Sequence, residues 1–190
     1  MTGRHPSRFV PRTDADWPRV WLFTDERMAG CPMIAARALP PRSGIVFRHY
    51  ATPKAERHRL FQRLLRIARA RRHVLLVGGD YLLGADGAHG SAWRGIRAGE
   101  LPVSIGVHNP REAALARRLG ARLIFISPVF ATRSHVDAAA LGAAGFARLS
   151  AGFHDACIAL GGMDAARFRL MRRHGAHGWG AIDSLGAKIK

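Results

Sequence analysis

Cysteine is scarce in this chain: Cys31 and Cys157 are its only two, far apart and in unrelated contexts. That excludes a disulfide framework and a cysteine-built metal site, and makes a reducing cytoplasm the expected compartment. Long apolar runs are also missing. None approaches the ~18 residues of a membrane helix, so no membrane partner is expected. The opening residues, MTGRHPSRFVPRTDADWPRV, are basic but lack the apolar stretch of a secretory signal. They read as a short disordered or strapping arm over 1–19, ahead of one domain over 20–190. Acidic residues are few, 13 Asp+Glu against 30 Lys+Arg, for a net charge of +17. Such a surface attracts anions: nucleic acid, phosphorylated metabolites or acidic membranes. The cations are nearly all Arg in a chain rich in Ala and Gly, a mixture that GC-rich coding also produces. They are spread along helices and do not interleave with aromatic residues as in single-strand binders, which argues against a nucleic-acid partner.

What is present is a chain of 190 residues, 48% apolar, enough for one domain with a sizeable core. Short apolar runs recur at 20–24, 44–48, 73–77, 85–89, 102–107, 122–127, 156–160 and 177–182. Most are continuous rather than alternating, as in parallel strands buried on both faces. Amphipathic segments lie between them. In TPKAERHRLFQRLLRIARARR, Leu60, Phe61, Leu64, Leu65 and Ala68 share a face, with Arg57, Arg59, Arg63 and Arg66 elsewhere. Thr52 is the expected N-cap there, with Pro53 first in the helix. NPREAALARRLG repeats the device with Asn109, Pro110, Glu112 and a stop at Gly120, and MDAARFRLMRRHG does so with Asp164 and Gly175. A further helix could begin at Asp137.

Eight strands with helices between them predict an α/β fold, a single (β/α)8 TIM barrel. At 190 residues it is shorter than the ~250 usual for that fold. It is therefore expected to be trimmed in the third and fourth units and at the C-terminal helix, and a homo-oligomer could cover the exposed flank. A doubly wound open sheet is the alternative architecture.

In a barrel the chemistry sits at the C-terminal ends of the strands. The seventh ends in CIALGGMD, where Gly161 and Gly162 either let backbone N–H groups approach an anion or make a tight turn. The eighth ends in WGAIDSLG, where Ser184 could add a hydroxyl donor, although the Asp183 carboxylate would repel a phosphate. The sixth ends in ISPVFATRSH. Thr132 and Ser134, two apart in an extended loop, could both donate to one anion, with Arg133 or His135 supplying charge. The other reading is a solvated polar loop. The second ends in FRHY, where Arg48 either pairs with a carboxylate or binds an anionic ligand.

Taken together, these ends resemble the thiamine phosphate synthase family and its thiazole tautomerase (TenI-like) relatives. The resemblance runs from FTDE (23–26) to GAIDSLG (180–186). VFRHY resembles Gln-Leu-Arg-Glu-Lys, GADGAHG resembles Gly-Ala-Asp-Gly-Val-His-Leu-Gly, SPVFATRSH resembles Gly-Pro-Val-Phe-Pro-Thr-x-Thr-Lys, and ALGGM resembles Ala-Ile-Gly-Gly-Ile. The resemblance implies a barrel that joins a pyrimidine methyl diphosphate to a thiazole phosphate and releases diphosphate, with Mg²⁺ as cofactor if it is active as a synthase. It implies catalytic roles for Arg48 and His108, and phosphate contacts from Thr132, Arg133, Ser134, Gly161, Gly162 and Ser184. His89 and His135 would be substrate contacts. The chain departs from the pattern at Val46 and Tyr50 and at Gly78-Gly79 where the family has Asn-Asp, while Pro128, where the tautomerases have histidine, makes it resemble the synthase branch. Asp80 could ligate a metal only if the alignment slips by one. The alternative function is a non-catalytic barrel that holds or senses thiazole phosphate, thiamine phosphate or a related metabolite.

Overall fold

The computed structural model describes residues 13, 16–28, 31–80, 82–94, 103–132, 139–153 and 156–182. Eight parallel strands close into one barrel in sequence order: β1 Val20–Thr24, β2 Gly44–Phe47, β3 Val74–Asp80, β4 Gly87–Arg94, β5 Val103–Val107, β6 Leu123–Ile126, β7 Cys157–Leu160 and β8 Gly178–Ala181. β8 pairs back onto β1, with Val20 opposite Trp179. The barrel expected from the continuous apolar runs is the one observed. The open-sheet alternative is not.

Alternate residues of each strand point to opposite sides of the wall. Trp21, Phe23, Val46, Leu76, Phe125 and Ile158 fill the interior, with Phe23 and Phe125 edge-to-face at 4.8 Å and Trp21 and Phe125 at 5.2 Å. Gly44 makes room for this plug, because a Cβ there would stand 2.2 Å from the Trp21 indole. Trp17 is buried below it, its carbonyl bonded to His177 Nε2 at 2.8 Å. The opposite faces meet the helices. Leu22, Ile45, Phe47, Leu75 and Val77 pack on α1 (Pro32–Ala38) and α2 (Lys54–Arg71). Ile105, Ile124, Ile126 and Ala159 pack against α3 (Pro110–Arg118), α4 (Gly142–Ser150) and α5 (Ala165–Met171).

Two helix starts follow the expected chemistry. The Asn109 side chain accepts from Glu112 N–H at 3.0 Å, and Asp164 accepts from Arg167 N–H at 2.8 Å. α2 differs. Its cap position is Pro53, without a side-chain bond, and the Thr52 hydroxyl instead donates to Glu26 Oε1 at 3.2 Å. Arg57 is buried rather than on the polar face, because the strand ends offer it carbonyl acceptors. The helix sought from Asp137 begins at Gly142, and Asp137 lies outside the described residues. Strand 85–89 is β4, Gly87–Arg94, since Asp86 is occupied elsewhere.

The trimmed third unit is real: among residues 82–86 there is no helix between β3 and β4. A polar latch replaces it. Buried Asp86 accepts from Leu75 N–H at 2.9 Å and from Arg69 Nη1 at 2.7 Å, while Arg69 Nη2 reaches the Gly84 carbonyl at 2.6 Å. Both carboxylate oxygens are thus satisfied, as burial of the charge requires. Among the described residues, no helix is long and apolar enough to cross a membrane.

Candidate functional site

At the C-terminal ends of β1 and β2, Asp25 and Arg48 form the polar centre of the mouth. Asp25 Oδ2 accepts from Arg48 Nη2 at 2.8 Å, and Oδ1 accepts from Arg27 Nε at 2.8 Å. Bonding by the Arg27 side chain, with its backbone N–H and the charge of Arg48, holds the Asp25 carboxyl well below the usual carboxylate range, against the opposing effect of burial. Arg48 lies over the Phe23 ring at 5.3 Å, and its Nε donates to Thr24 O at 3.3 Å. The in-chain partner Asp25 was not foreseen as one. The strand register that sets its loop beside β2 is invisible in the sequence.

His89, on β4, stands in the interior between Phe23 and Phe125, edge-on to both at 5.5 and 5.4 Å. Its Nδ1 is 3.0 Å from Ser104 Oγ, and Ser104 Oγ donates to the Ala88 carbonyl at 3.2 Å. The hydroxyl has one proton. Both contacts are satisfied together when Nδ1–H donates to Ser104, which leaves Nε2 as an acceptor. Burial, then the charges of Arg48 and His108, push the His89 pKa down to about 3. His108, by contrast, is on the rim: its side chain is 48% exposed and bonded through Nδ1 to Glu112 Oε2 at 2.8 Å.

Burial also lowers the pKa of His73, at the foot of β3, and of His49, beyond β2. Each of these three histidines binds its proton less readily folded than unfolded. Their contribution to stability is full above the unfolded pKa of 6.5 and is lost as pH falls from there toward each group's lower folded value, about 3 for His89. Urea unfolding should therefore show clearly lower stability at pH 5 than at pH 8. Equal midpoints at the two pH values would contradict this protonation pattern.

Across the mouth, the loop after β6 lies directly on the turn after β7. Val129 N–H donates to Leu160 O at 2.8 Å, and Phe130 N–H to Gly161 O at 3.1 Å. Gly161 and Gly162 both have positive φ, +86° and +60°. A Cβ on Gly161 would be 2.8 Å from Pro128 Cα, and one on Gly162 would be 2.5 Å from Ala131 O. Close approach of the two loops thus requires glycine here whether or not an anion binds. Arg167 stacks on Phe130 at 4.8 Å and donates to the Gly162 carbonyl. Thr132, half-buried, follows immediately, and Arg133, Ser134, His135 and Ser184 lie outside the described residues.

On the third side, β3 ends in a register irregularity between Gly78 and Asp80, with Gly79 at φ +75°. Asp80 is exposed, and its carbonyl takes Arg57 Nη1 at 3.4 Å. The Mg²⁺ implied by the family resemblance does not fit this corner. Gly78 and Gly79 offer no side chains, and the two Asp25 oxygens are taken by arginines. Among the described residues there is no cluster of three or more His, Cys, Asp or Glu able to hold a metal.

The family model for thiamine monophosphate synthase matches residues 24–185. Among solved structures, thiamine phosphate pyrophosphorylase from Pyrococcus furiosus is similar at 20% identity, with a TM-score of 0.75, over 92% of this chain and 90% of that one. An HpcH/HpaI aldolase from Desulfitobacterium hafniense is similar at 12% identity, with a TM-score of 0.59, over 91% and 89%. Likeness at these identities shows the barrel alone. No match is found among curated proteins. The family match spans most of the chain and takes in the strand ends that build the mouth: this protein belongs to the thiamine monophosphate synthase family.

Proposed function

We propose that the barrel takes a thiazole phosphate at the β6–β7 side of its mouth and joins it to a pyrimidine methyl diphosphate. The observation that carries this reading is the docking of the β6 loop on the Gly161–Gly162 turn, which brings Ala131, the residue before Thr132, against Gly162. In the reaction, the C–O bond between the pyrimidine methylene and diphosphate breaks, and the thiazole nitrogen forms the new C–N bond to that carbon. The diphosphate leaves with the electron pair. Thr132, with Arg133, Ser134 and Ser184 from the neighbouring loops, holds the phosphate. Arg48, fixed by Asp25, faces the leaving anion. His108 stands on the rim and His89 offers a neutral acceptor from the floor. His135 adds charge to the β6 loop.

Gly78 and Gly79 favour a second reading, a barrel that holds a thiamine-related phosphate without turnover, because they stand where the family pattern has Asn-Asp and leave Asp80 as the one carboxylate of β3. One experiment separates the two. Purified protein at high concentration is incubated with both substrates, with and without Mg²⁺, and assayed for thiamine phosphate by mass spectrometry. Product is expected, and Thr132→Ala should weaken thiazole phosphate binding about tenfold, the worth of one charge-assisted hydrogen bond. No product together with a thermal shift by thiazole phosphate would transfer the assignment to the holding role. No product and no shift would end both.

A further inference from the structure

The corner over β1, β2 and β3 carries an aromatic side chain that the phosphate site does not use. Tyr50 is 59% exposed, the one aromatic among the exposed large apolar side chains of the described residues. It stands on a turn that is anything but loose. His49 takes φ +40°, an uncommon conformation for a non-glycine residue, and is buried and stacked on Phe47 at 4.9 Å. Arg57 holds the turn from inside, donating from Nε to His49 O at 3.1 Å and from Nη2 to Gly78 O at 2.6 Å. Glu26 holds it from the turn after β1, its Oε1 accepting from Ala51 N–H at 2.7 Å and Thr52 N–H at 3.1 Å. A strained conformation persists only where its surroundings over-determine it, and such positions cluster at ligand sites.

The turn lays the Tyr50 ring across the end of β3. A Cβ on Gly78 would stand 2.3 Å from Tyr50 Oη and 3.0 Å from Cζ, and one on Gly79 would be 3.5 Å from Cδ1 and Cε1. Glycine at 78 and tyrosine at 50 are therefore a matched pair: any side chain at 78 would displace the ring. One part of the ring rests on backbone and the rest is open to solvent. Burial raises the Tyr50 pKa, so the phenol stays neutral. Asp25 offsets the charges of Arg48 and Arg27, and carbonyls take up Arg57, so Asp25 supplies no carboxylate left over for a metal. The corner thus offers a rigid, neutral aromatic surface rather than a seat for a metal diphosphate.

We propose that Tyr50 is a stacking platform for a heteroaromatic ring of the ligand, bound there without a divalent metal, and that it sets specificity for that ring. Pre-ordering of the turn's backbone by Arg57 and Glu26 lowers the entropy cost of stacking. This rests on the reading that a thiamine-related ligand enters the mouth, so the probes separate ring from phosphate. Titration calorimetry is done with thiamine, thiamine phosphate and inorganic diphosphate, in EDTA and in Mg²⁺. Thiamine is expected to bind the wild type in EDTA, about tenfold more weakly to Tyr50→Ala, and with unchanged affinity to Tyr50→Phe. Gly78→Ala should weaken thiamine binding in the wild type and add no further loss in the Tyr50→Ala background. Inorganic diphosphate should gain nothing from Mg²⁺. Undiminished binding by Tyr50→Ala, no thiamine binding by the wild type, or a tenfold gain in diphosphate affinity from Mg²⁺ would each overturn the proposal. Thiamine phosphate binding no tighter than thiamine would count instead against the phosphate site, and leave the Tyr50 result standing.

Discussion

Gly162→Ala should destabilise the barrel by about 3 kcal/mol and abolish tight binding of thiazole phosphate. The loss has two parts. An alanine at φ +60° carries the backbone strain of the left-handed region, roughly 1 kcal/mol or more. The larger part is the methyl group, which would sit 2.5 Å from the Ala131 carbonyl oxygen and 2.9 Å from Phe130 Cβ. Backbone cannot yield as a flexible side-chain tip does, so the β6 loop must lift away from the turn and take Thr132 with it. Gly175→Ala is the control: φ is +89° there, and nothing lies within 4 Å of the added Cβ. It should cost only the backbone part. Urea unfolding of both variants reads the difference directly. If Gly162→Ala costs no more than Gly175→Ala, the close approach of the two loops is not what the glycine serves.

Asp25→Ala should cost a similar amount, about 3 kcal/mol, because it strands a guanidinium. The Arg48 side chain is 15% exposed and keeps only the Thr24 carbonyl and the face of Phe23 once the carboxylate is gone. Arg27, with 68% of its side chain exposed, returns to water at little cost. The cost should therefore depend on Arg48: Asp25→Ala combined with Arg48→Met should be more stable than Asp25→Ala alone. The depressed Asp25 pKa has the matching consequence in acid. Its contribution is full above the ordinary pKa of 3.8 and drains away as the pH falls below it. A double variant no more stable than the single one would show that the pair does not hold the mouth together.

The barrel was legible because parallel strands buried on both faces are continuous apolar runs, and LIFI, CIAL and VWLFT have no other easy reading. Asn109 and Asp164 were legible as caps because their bonds are local. α1 was missed: PMIAARA is short, and its cap residue Cys31 makes no side-chain bond. Arg57 was put on the wrong face of its helix, since only the assembled strand ends supply the carbonyls that let a guanidinium be buried. The site follows the same division. Gly161 and Gly162 stood out in the sequence as either anion cradle or turn, and the geometry adds a third demand, contact with the loop after β6. Ser104 and Asp25 gave no signal because their roles depend on which strand lies beside them. Tyr50 stood out only as a departure from the family pattern, since nothing in FRHY says that the ring will come to rest on Gly78.

The latch of Arg69, Gly84 and Asp86 has a kinetic meaning beyond holding a short connection. Helices α1 to α5 back the connections in which they lie, but between β3 and β4 residues 82–86 run back without a helix, with Leu83 71% exposed. Ala85 and Leu82 pack on the α2 side of the core, but the tie that closes this connection is the single charged cluster at Asp86. The same strand carries both the Leu75 end of the latch and Gly78, the surface on which Tyr50 rests. A ligand that stacks on Tyr50 should therefore also slow amide hydrogen exchange along β3 and through 82–86, a latch tightened from the mouth.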